Sequence, residues 1–204
     1  MRKRIKLLLS IATFCFAIII LSFGVYAAST VTYTASGTVT YNVSSVFCKI
    51  STTYSYVTNE ELIHSSFDEE SWELLLASGG DYSWSTPATK VGNDYDTGLD
   101  PDYSGNATNS TSIDINFNTS SLYKIMVTVV CYKQSSQIRV APSLTRSLVN
   151  ANINLLTSEN LSINCNTDDE TARTRQVVYY VALSDVTAAA SGSFGIQVDV
   201  SKAS

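Results

Sequence analysis

Residues 28–51 read ASTVTYTASGTVTYNVSSVFCKIS, and this stretch decides the class of fold. Apolar residues alternate with Thr, Ser and Asn, with a break at Gly37. Strict alternation places one set of side chains on each face of an extended chain, so the stretch predicts β-strands with one buried face. Its many β-branched and aromatic residues favour the same structure. The sequence therefore predicts a mainly β protein whose first strands begin near residue 28.

The residues before this stretch have the pattern of an export signal. Four basic residues lie within the first six positions, and the apolar run 7–23 follows them. Small or β-branched residues at 25 and 27 predict cleavage after Ala27. The run is long for a signal peptide but short for a membrane span of about 20 residues, so an uncleaved membrane anchor is the alternative. We interpret 1–27 as a signal peptide or anchor, and 28–204 as a single domain that is secreted or held at the cell surface.

The charge of the chain excludes two kinds of partner. Of the 13 Lys and Arg residues, four lie in the leader, whereas all 18 Asp and Glu residues lie after it. A domain this acidic repels nucleic acid and anionic membrane, because both carry negative charge. We expect no nucleic-acid partner, and membrane contact only through the first 27 residues if they are not removed.

Alternation resumes after residue 112 and continues to the end of the chain. Residues 123–132, YKIMVTVVCY, are apolar on both faces, which indicates a central strand covered on both sides. In the last strand, 193–200, every second residue from Phe194 to Val200 is predicted to point inward. Shorter strands are predicted at 137–141, 151–157 and 161–165. About nine short strands in all predict a two-sheet β-sandwich of jelly-roll type.

Two stretches interrupt the strand pattern. Residues 59–77 place apolar residues at three- and four-residue spacings and precede two glycines, which predicts one or two short helices that cover an end of the sandwich. Residues 80–112 show no period and hold two of the three prolines, which predicts a long acidic loop.

This loop holds the strongest candidate for a metal site. Asp94, Asp96, Asp100 and Asp102 are closely spaced around Gly98. Closely spaced carboxylates beside a sharp turn are what Ca²⁺ requires. The spacing departs from the EF-hand pattern, because Gly98 falls where that loop needs its third side-chain ligand. Calcium binding is therefore one hypothesis, and a solvated acidic loop is the other.

Neither the cysteines nor the histidine form a catalytic pattern. Cys48, Cys131 and Cys165 lie at inward-facing positions of predicted strands. A disulfide between two of them would leave the third unpaired, and three buried thiols are the alternative. His64 is the single histidine and lies in the predicted helical stretch, so we expect neither a catalytic triad nor a His-based zinc site. We expect no enzyme activity, and no cofactor other than the calcium just considered.

Both ends of the chain resemble a known group of proteins. The basic leader ending GVYA, followed by ASTVTYTASGTVTYNVSSVFCKI, resembles small exported proteins of Gram-positive bacteria. The closing VVYYVALSDVTAAASGSFGIQVDV is similar to the end of camelysin and TasA-type biofilm-matrix proteins, in which a strand, a short loop and a final strand complete a jelly-roll. The resemblance implies an extracellular sandwich that can assemble into fibres, and it brings no catalytic residues with it.

The leading hypothesis is a secreted or cell-surface structural protein that self-associates as a matrix or fibre subunit. After cleavage, the uncharged segment 28–43 would enter a groove of a neighbouring copy by β-strand addition. The residues expected to fill that groove as alternate knobs are Val31, Tyr33, Ala35, Val39 and Tyr41. In an isolated chain, we expect the same segment to pair within its own domain. The alternative hypothesis is an adhesin-like surface module that binds calcium or glycan through the 80–112 loop.

Overall fold

A computed structural model describes residues 34–57, 70, 84, 89–97, 106–116, 122–149, 151–155, 161–183 and 191–203. They form a β-sandwich of two sheets, which confirms the prediction of a mainly β sandwich. The described strands belong to a compact unit that begins at residue 32. In chain order the strands are β1 (Thr34–Ser44), β2 (Cys48–Val57), β3 (Thr89–Lys90), β4 (Tyr95–Asp96), β5 (Asn106–Asn116), β6 (Leu122–Cys131), β7 (Gln137–Val149), β8 (Ala151–Leu155), β9 (Leu161–Asn164), β10 (Thr174–Leu183) and β11 (Ser191–Lys202).

The two sheets are called sheet A and sheet B. Sheet A has the strand order β5-β1-β11-β7-β9, and sheet B has the order β3-β2-β6-β10-β8, with β4 also paired to β2. Among the described strands, β1 and β11 form a parallel pair and the other pairings are antiparallel. The first strand therefore lies inside sheet A, next to the last one.

The core lies between the sheets and is built from alternate residues of each strand. In β11 the inward residues from Phe194 to Val200 are at most 4% exposed, as the alternation predicts. Strand β6 lies between β2 and β10 in the middle of sheet B, so the prediction of a central strand is also confirmed. Each fully buried Val or Ile side chain contributes about 1.5–3 kcal/mol to folding, and this burial fixes the positions of the strands.

The outer face of sheet B carries a second apolar cluster. Val57, Leu122, Tyr180 and Ala182 are buried there, and Trp84 packs against them. The rings of Trp84 and Tyr180 are stacked, with centroids 5.5 Å apart. Trp84 belongs to the predicted loop, so this contact attaches the loop to the sandwich.

The limits of two predicted elements were wrong. The predicted loop 80–112 contains β3 and β4, and its last residues form the start of β5, which begins at Asn106. These residues, NATNSTS, escaped the strand prediction because they are polar on both faces, with Asn109 and Thr111 only half-buried. Strand β7 continues to Val149 instead of ending at residue 141. Proline is tolerated at sheet edges, and Pro142 lies beyond the part of β7 that pairs with β9.

Two further predictions fall outside the described residues. Of the predicted helical stretch 59–77 the structure describes Glu70 alone, and it describes none of the leader 1–27. Within the part of the chain that the structure covers, no helix has the length and apolar character needed to cross a membrane. The helices, the leader and its cleavage stay predictions.

Candidate assembly site

Strand β1 fills a slot in sheet A between β5 and β11. It pairs with β5 along its whole length, 34–44, and with β11 over residues 36–44. The strand runs through Gly37 without interruption, so the break predicted at that glycine was wrong. Because β1 is flanked on both sides, it completes the sheet from an interior position.

Three of the five residues predicted to enter a neighbour's groove lie in β1. Ala35, Val39 and Tyr41 point into the core of their own domain and are at most 4% exposed. Val31 and Tyr33 lie outside the described residues. The described part of the segment thus pairs within its own domain, as expected for an isolated chain, and its entry into a second copy stays a prediction.

The ring of Phe194 packs against β1 at Gly37, where no side chain is present. The two residues are directly opposite each other in the parallel pair of β1 and β11. A Cβ atom at position 37 would lie 2.1 Å from Cζ of Phe194 and 2.2 Å from Cε2, far inside van der Waals contact. The ring therefore occupies the space that a side chain would need, and only glycine fits β1 here without displacing it.

Tyr41 connects β1 to the opposite sheet. Its hydroxyl forms a hydrogen bond with the hydroxyl of Thr52 on β2, and both residues are about 1% exposed. Its ring stacks on Tyr95 of β4 with a centroid distance of 6.5 Å. Burial raises the pKa of Tyr41, and the bond to Thr52 opposes that rise. The tyrosine therefore stays a neutral hydrogen-bonding group that holds β1 against sheet B.

On the outer face of sheet A, Asn42 connects β1 to both of its neighbours. Its Nδ2 donates to Oδ1 of Asp199 on β11 at 2.7 Å, and its Oδ1 accepts from Oγ1 of Thr108 on β5 at 3.0 Å. One amide can do both because it carries a donor and an acceptor. The hydroxyls of Thr40 and Ser110 add a contact at 3.0 Å. A one-residue slip would move Asn42 to the core face, so these bonds specify the register of β1.

A link of three residues, 45–47, joins β1 to β2 and crosses from sheet A to sheet B. Ser45 has a φ of 52°, in the left-handed region that residues other than glycine seldom adopt. Val46 is fully buried, and the carbonyl of Phe47 accepts hydrogen bonds from Nε2 of Gln134 and from the N–H of Tyr132. We call residues 45–47 the β1–β2 link; it is the covalent connection of β1 to the described strands that follow.

Asp94, one of the four predicted calcium ligands, forms ion pairs with two lysines. Its Oδ1 lies 2.8 Å from Nζ of Lys90, and its Oδ2 lies 3.2 Å from Nζ of Lys49. Hydrogen bonding to Lys90, with help from Lys49, holds the pKa of Asp94 below its ordinary value. The two lysines thus supply positive charge at this carboxylate. Asp100 and Asp102 lie outside the described residues.

The segment around Asp96 is attached to the sandwich. Asp96 accepts a hydrogen bond of 2.8 Å from the hydroxyl of Tyr132. Next to it, Oγ1 of Thr97 accepts from the N–H of Cys48 at 2.9 Å. In the ranges that the structure describes, no group of three or more His, Cys, Asp or Glu side chains is arranged to hold a metal ion. Calcium binding by the full set of four aspartates therefore stays a hypothesis.

Two of the three cysteines that follow residue 27 form a disulfide. Cys131, at the end of β6, is bonded to Cys165, which follows β9, with their Cα atoms 5.9 Å apart. The bond connects sheet B to the edge of sheet A. Cys48 is buried with a free thiol and lies directly opposite Cys131 in the pairing of β2 with β6. Burial raises the pKa of Cys48 to about 12, so its thiol is protonated at neutral pH.

Two features of the site were missed by sequence reasoning. An asparagine among the hydroxyl residues of a strand gives no sign that it bonds to both neighbours, as Asn42 does. A left-handed conformation is normally signalled by Gly, Asn or Asp, so nothing in the sequence marks Ser45.

Comparison with known proteins gives no family assignment. No protein-family model matches the chain, and no curated protein matches it significantly. A variant of the major pilin from Streptococcus pyogenes aligns over 83% of this chain and 48% of its own length, with 10% identity and a TM-score of 0.26. This chain thus spans about half of that pilin chain. Envelope protein VP37 of White Spot Syndrome Virus aligns over 75% of this chain and 92% of its own, with 9% identity and a TM-score of 0.23. Similarities this low carry no functional argument.

Proposed function

We propose that this chain is a secreted or cell-surface structural protein that self-associates by exchanging its first strand between copies. The observation that carries the proposal is the position of β1. It is the first described strand, it fills an interior slot of sheet A, and a link of three residues with a left-handed Ser45 joins it to β2. A terminal strand on a short hinge is the element that proteins exchange in domain swapping.

The contacts of β1 would be the same within one chain and between two chains. The knobs Ala35, Val39 and Tyr41 would occupy the same core, and Asn42 would bond to Asp199 and Thr108 of a second copy instead of its own. Exchange therefore needs no new complementary surface. If each copy donates β1 to the next without closure, the contact is head-to-tail and builds a fibre.

Two features support an extracellular location. The disulfide between Cys131 and Cys165 is the state expected in an oxidising compartment. The leader predicted over residues 1–27 would deliver the chain there. Jelly-roll connectivity and membership of the camelysin and TasA-type group are part of the same proposal, and we assign no catalytic role to any residue.

The β1–β2 link provides the test. Ser45→Gly removes the cost of the left-handed conformation, so it stabilises the unexchanged form and slows assembly. Ser45→Val raises that cost, because a β-branched residue is a strong outlier at positive φ, so it favours the extended link and accelerates assembly. Neither variant changes a side chain of β1. The full chain, expressed with its leader and recovered after export, is followed by light scattering and electron microscopy.

The expected order of assembly rates is Ser45→Val, then the unmodified chain, then Ser45→Gly. A deletion of residues 28–36, which removes the start of the exchanged segment, should abolish fibres. Fibres that form equally well in all these variants would contradict strand exchange, and an exported chain that stays monomeric under all conditions would contradict self-association itself.

A further inference from the structure

The four open edges of the two sheets differ in how well they are protected. The edge strands β3, β4, β8 and β9 are two to five residues long, and the open part of β7 carries Pro142 and Arg146. Short edges, prolines and charges are the usual protection against pairing with another chain. Strand β5 has eleven residues, one charged residue, Asp114, and a continuous register with β1. It is therefore the long, unprotected edge among the described strands.

The hydrogen bonds of Asn116 show which backbone N–H and C=O groups of β5 point away from β1. Its N–H donates to the hydroxyl of Tyr123 at 3.3 Å, and the same hydroxyl donates to its carbonyl at 2.9 Å, so both groups point away from β1. The direction alternates from residue to residue in an antiparallel pair. The even-numbered residues of β5 therefore point their backbone groups away from β1. Ser110 agrees, since its N–H donates to the side chain of Asn109 at 2.9 Å.

The middle of this edge has spare hydrogen-bonding capacity. Among the residues that the structure describes, none bonds to the outward N–H and C=O groups of Thr108, Ser112 and Asp114. The side chain of Asn109 covers one outward donor, the N–H of Ser110, and this bond can be displaced because it is local and exposed. A second β-strand would satisfy this whole row of groups.

We propose that β5 pairs antiparallel with β5 of a second copy, around a two-fold axis at Thr111. Thr111 is the middle residue of the strand, so this register pairs all of Asn106–Asn116 with its counterpart. Ser110 then faces the partner's Ser112. About eight backbone hydrogen bonds form between the outward residues Thr108, Ser110, Ser112 and Asp114 of the two copies, and sheet A becomes one continuous sheet across both copies.

The position of the charged residue Asp114 favours this register over registers shifted along the strand. In it, Asp114 faces Thr108 of the partner subunit, and the two Asp114 carboxylates are about 20 Å apart along the strands. A register centred on Asp114 would place like charges directly opposite each other, which is destabilising. Thr108 and Asp114 lie on the same exposed face of β5, so their side chains meet across the junction. The strand is thus complementary to itself in one register.

This inference deepens the proposed self-association but uses a different surface from strand exchange. Exchange of β1 fills an interior slot, whereas pairing of β5 joins two complete sheets edge to edge. The Ser45→Gly background, in which exchange is slowed, therefore separates the two contacts.

The test exchanges the sign of one charge at the proposed junction. Thr108→Lys places an amine opposite the partner's Asp114, and Thr108→Asp places a carboxylate there; both lose the same bond to Asn42. Two symmetric charge pairs should tighten the dimer of the lysine variant and weaken that of the aspartate variant, each by about two- to thirtyfold. Sedimentation equilibrium of the exported chain in the Ser45→Gly background measures the dissociation constants, and adding Asp114→Asn should remove the gain.

A backbone variant provides the second measurement. Ser112→Pro removes an outward N–H that β1 does not use, so it should abolish the dimer, while Ser112→Ala keeps the N–H and should retain it. An intact disulfide and an unchanged circular dichroism spectrum establish that both variants fold. Equal dissociation constants for the two Thr108 variants, or a dimer that persists in Ser112→Pro, would overturn the β5 junction. If Ser45 variants still change assembly in that case, the proposed function stands without it.

Discussion

The contact of Gly37 with Phe194 gives the sharpest stability prediction. In Gly37→Ala the new Cβ would lie 2.1 to 2.7 Å from three atoms of the Phe194 ring, whereas carbon atoms in contact are about 3.5–4.0 Å apart. The ring is 4% exposed, so it must move within a packed core. Overpacking costs about 1–3 kcal/mol, and replacing a strand glycine by alanine recovers about 0.5–1 kcal/mol. We therefore expect the free energy of unfolding to fall by about 1–2 kcal/mol.

Urea unfolding of the purified protein measures this loss, with the denaturant slope as a check that the denatured state is unchanged. Phe194→Leu is the matched partner, because it removes the ring atoms that the new methyl group meets. The two substitutions should cost less together than the sum of their separate effects, by about 1 kcal/mol. A Gly37→Ala protein as stable as the unmodified one, or strictly additive costs in the double variant, would show that the ring does not fill the space above the glycine.

Three further outcomes are expected. Asn42→Asp places a second carboxylate beside Asp199, and the repulsion raises the pKa of this carboxylate pair in the folded state. The free energy of unfolding should therefore fall by about 1–2 kcal/mol at neutral pH and recover as the pH falls below that pKa. A loss that does not depend on pH in urea titrations would contradict this. Reducing the disulfide between Cys131 and Cys165, which are 34 residues apart, should cost about 4 kcal/mol in the same assay. The thiol of Cys48, with a pKa of about 12, should resist alkylating reagents in the native protein at pH 8 and react once urea unfolds it, as mass spectrometry will show.

Strands with apolar residues on one face were predictable, because a strand with one buried face shows alternating apolar and polar residues in its sequence. The inward positions of β11 from Phe194 to Val200 and the buried knobs Val39 and Tyr41 of β1 were predicted on that basis. The central position of β6 followed from its apolar residues on both faces. In each case the physical cause, exclusion of apolar side chains from water, acts on single residues and can therefore be inferred one residue at a time.

The features that depend on two distant residues were not predictable. The start of β5 is polar on both faces, so its pairing with β1 has no apolar signature. The choice of Cys131 and Cys165 for the disulfide depends on which strand ends meet, and the sequence alone leaves every pairing of the three cysteines after residue 27 open. The same holds for Asn42, whose two bonds reach strands far away in the sequence. Polar contacts of this kind are set by topology, which a single sequence does not give.

In the proposed strand exchange, the β1–β2 link would decide the balance between a closed and an exchanged β1, because the contacts of β1 would be the same in both forms. A strand on a short tether meets its own slot at an effective concentration of about millimolar. Strand exchange between unstrained chains would therefore need a protein concentration near that value. The left-handed Ser45 adds about 1–2 kcal/mol to the closed form alone, and every 1.4 kcal/mol lowers the required concentration tenfold. Under this proposal, the strain at Ser45 would lower the protein concentration needed for assembly from about 1 mM to about 0.1 mM, and a more dilute chain would keep its own strand.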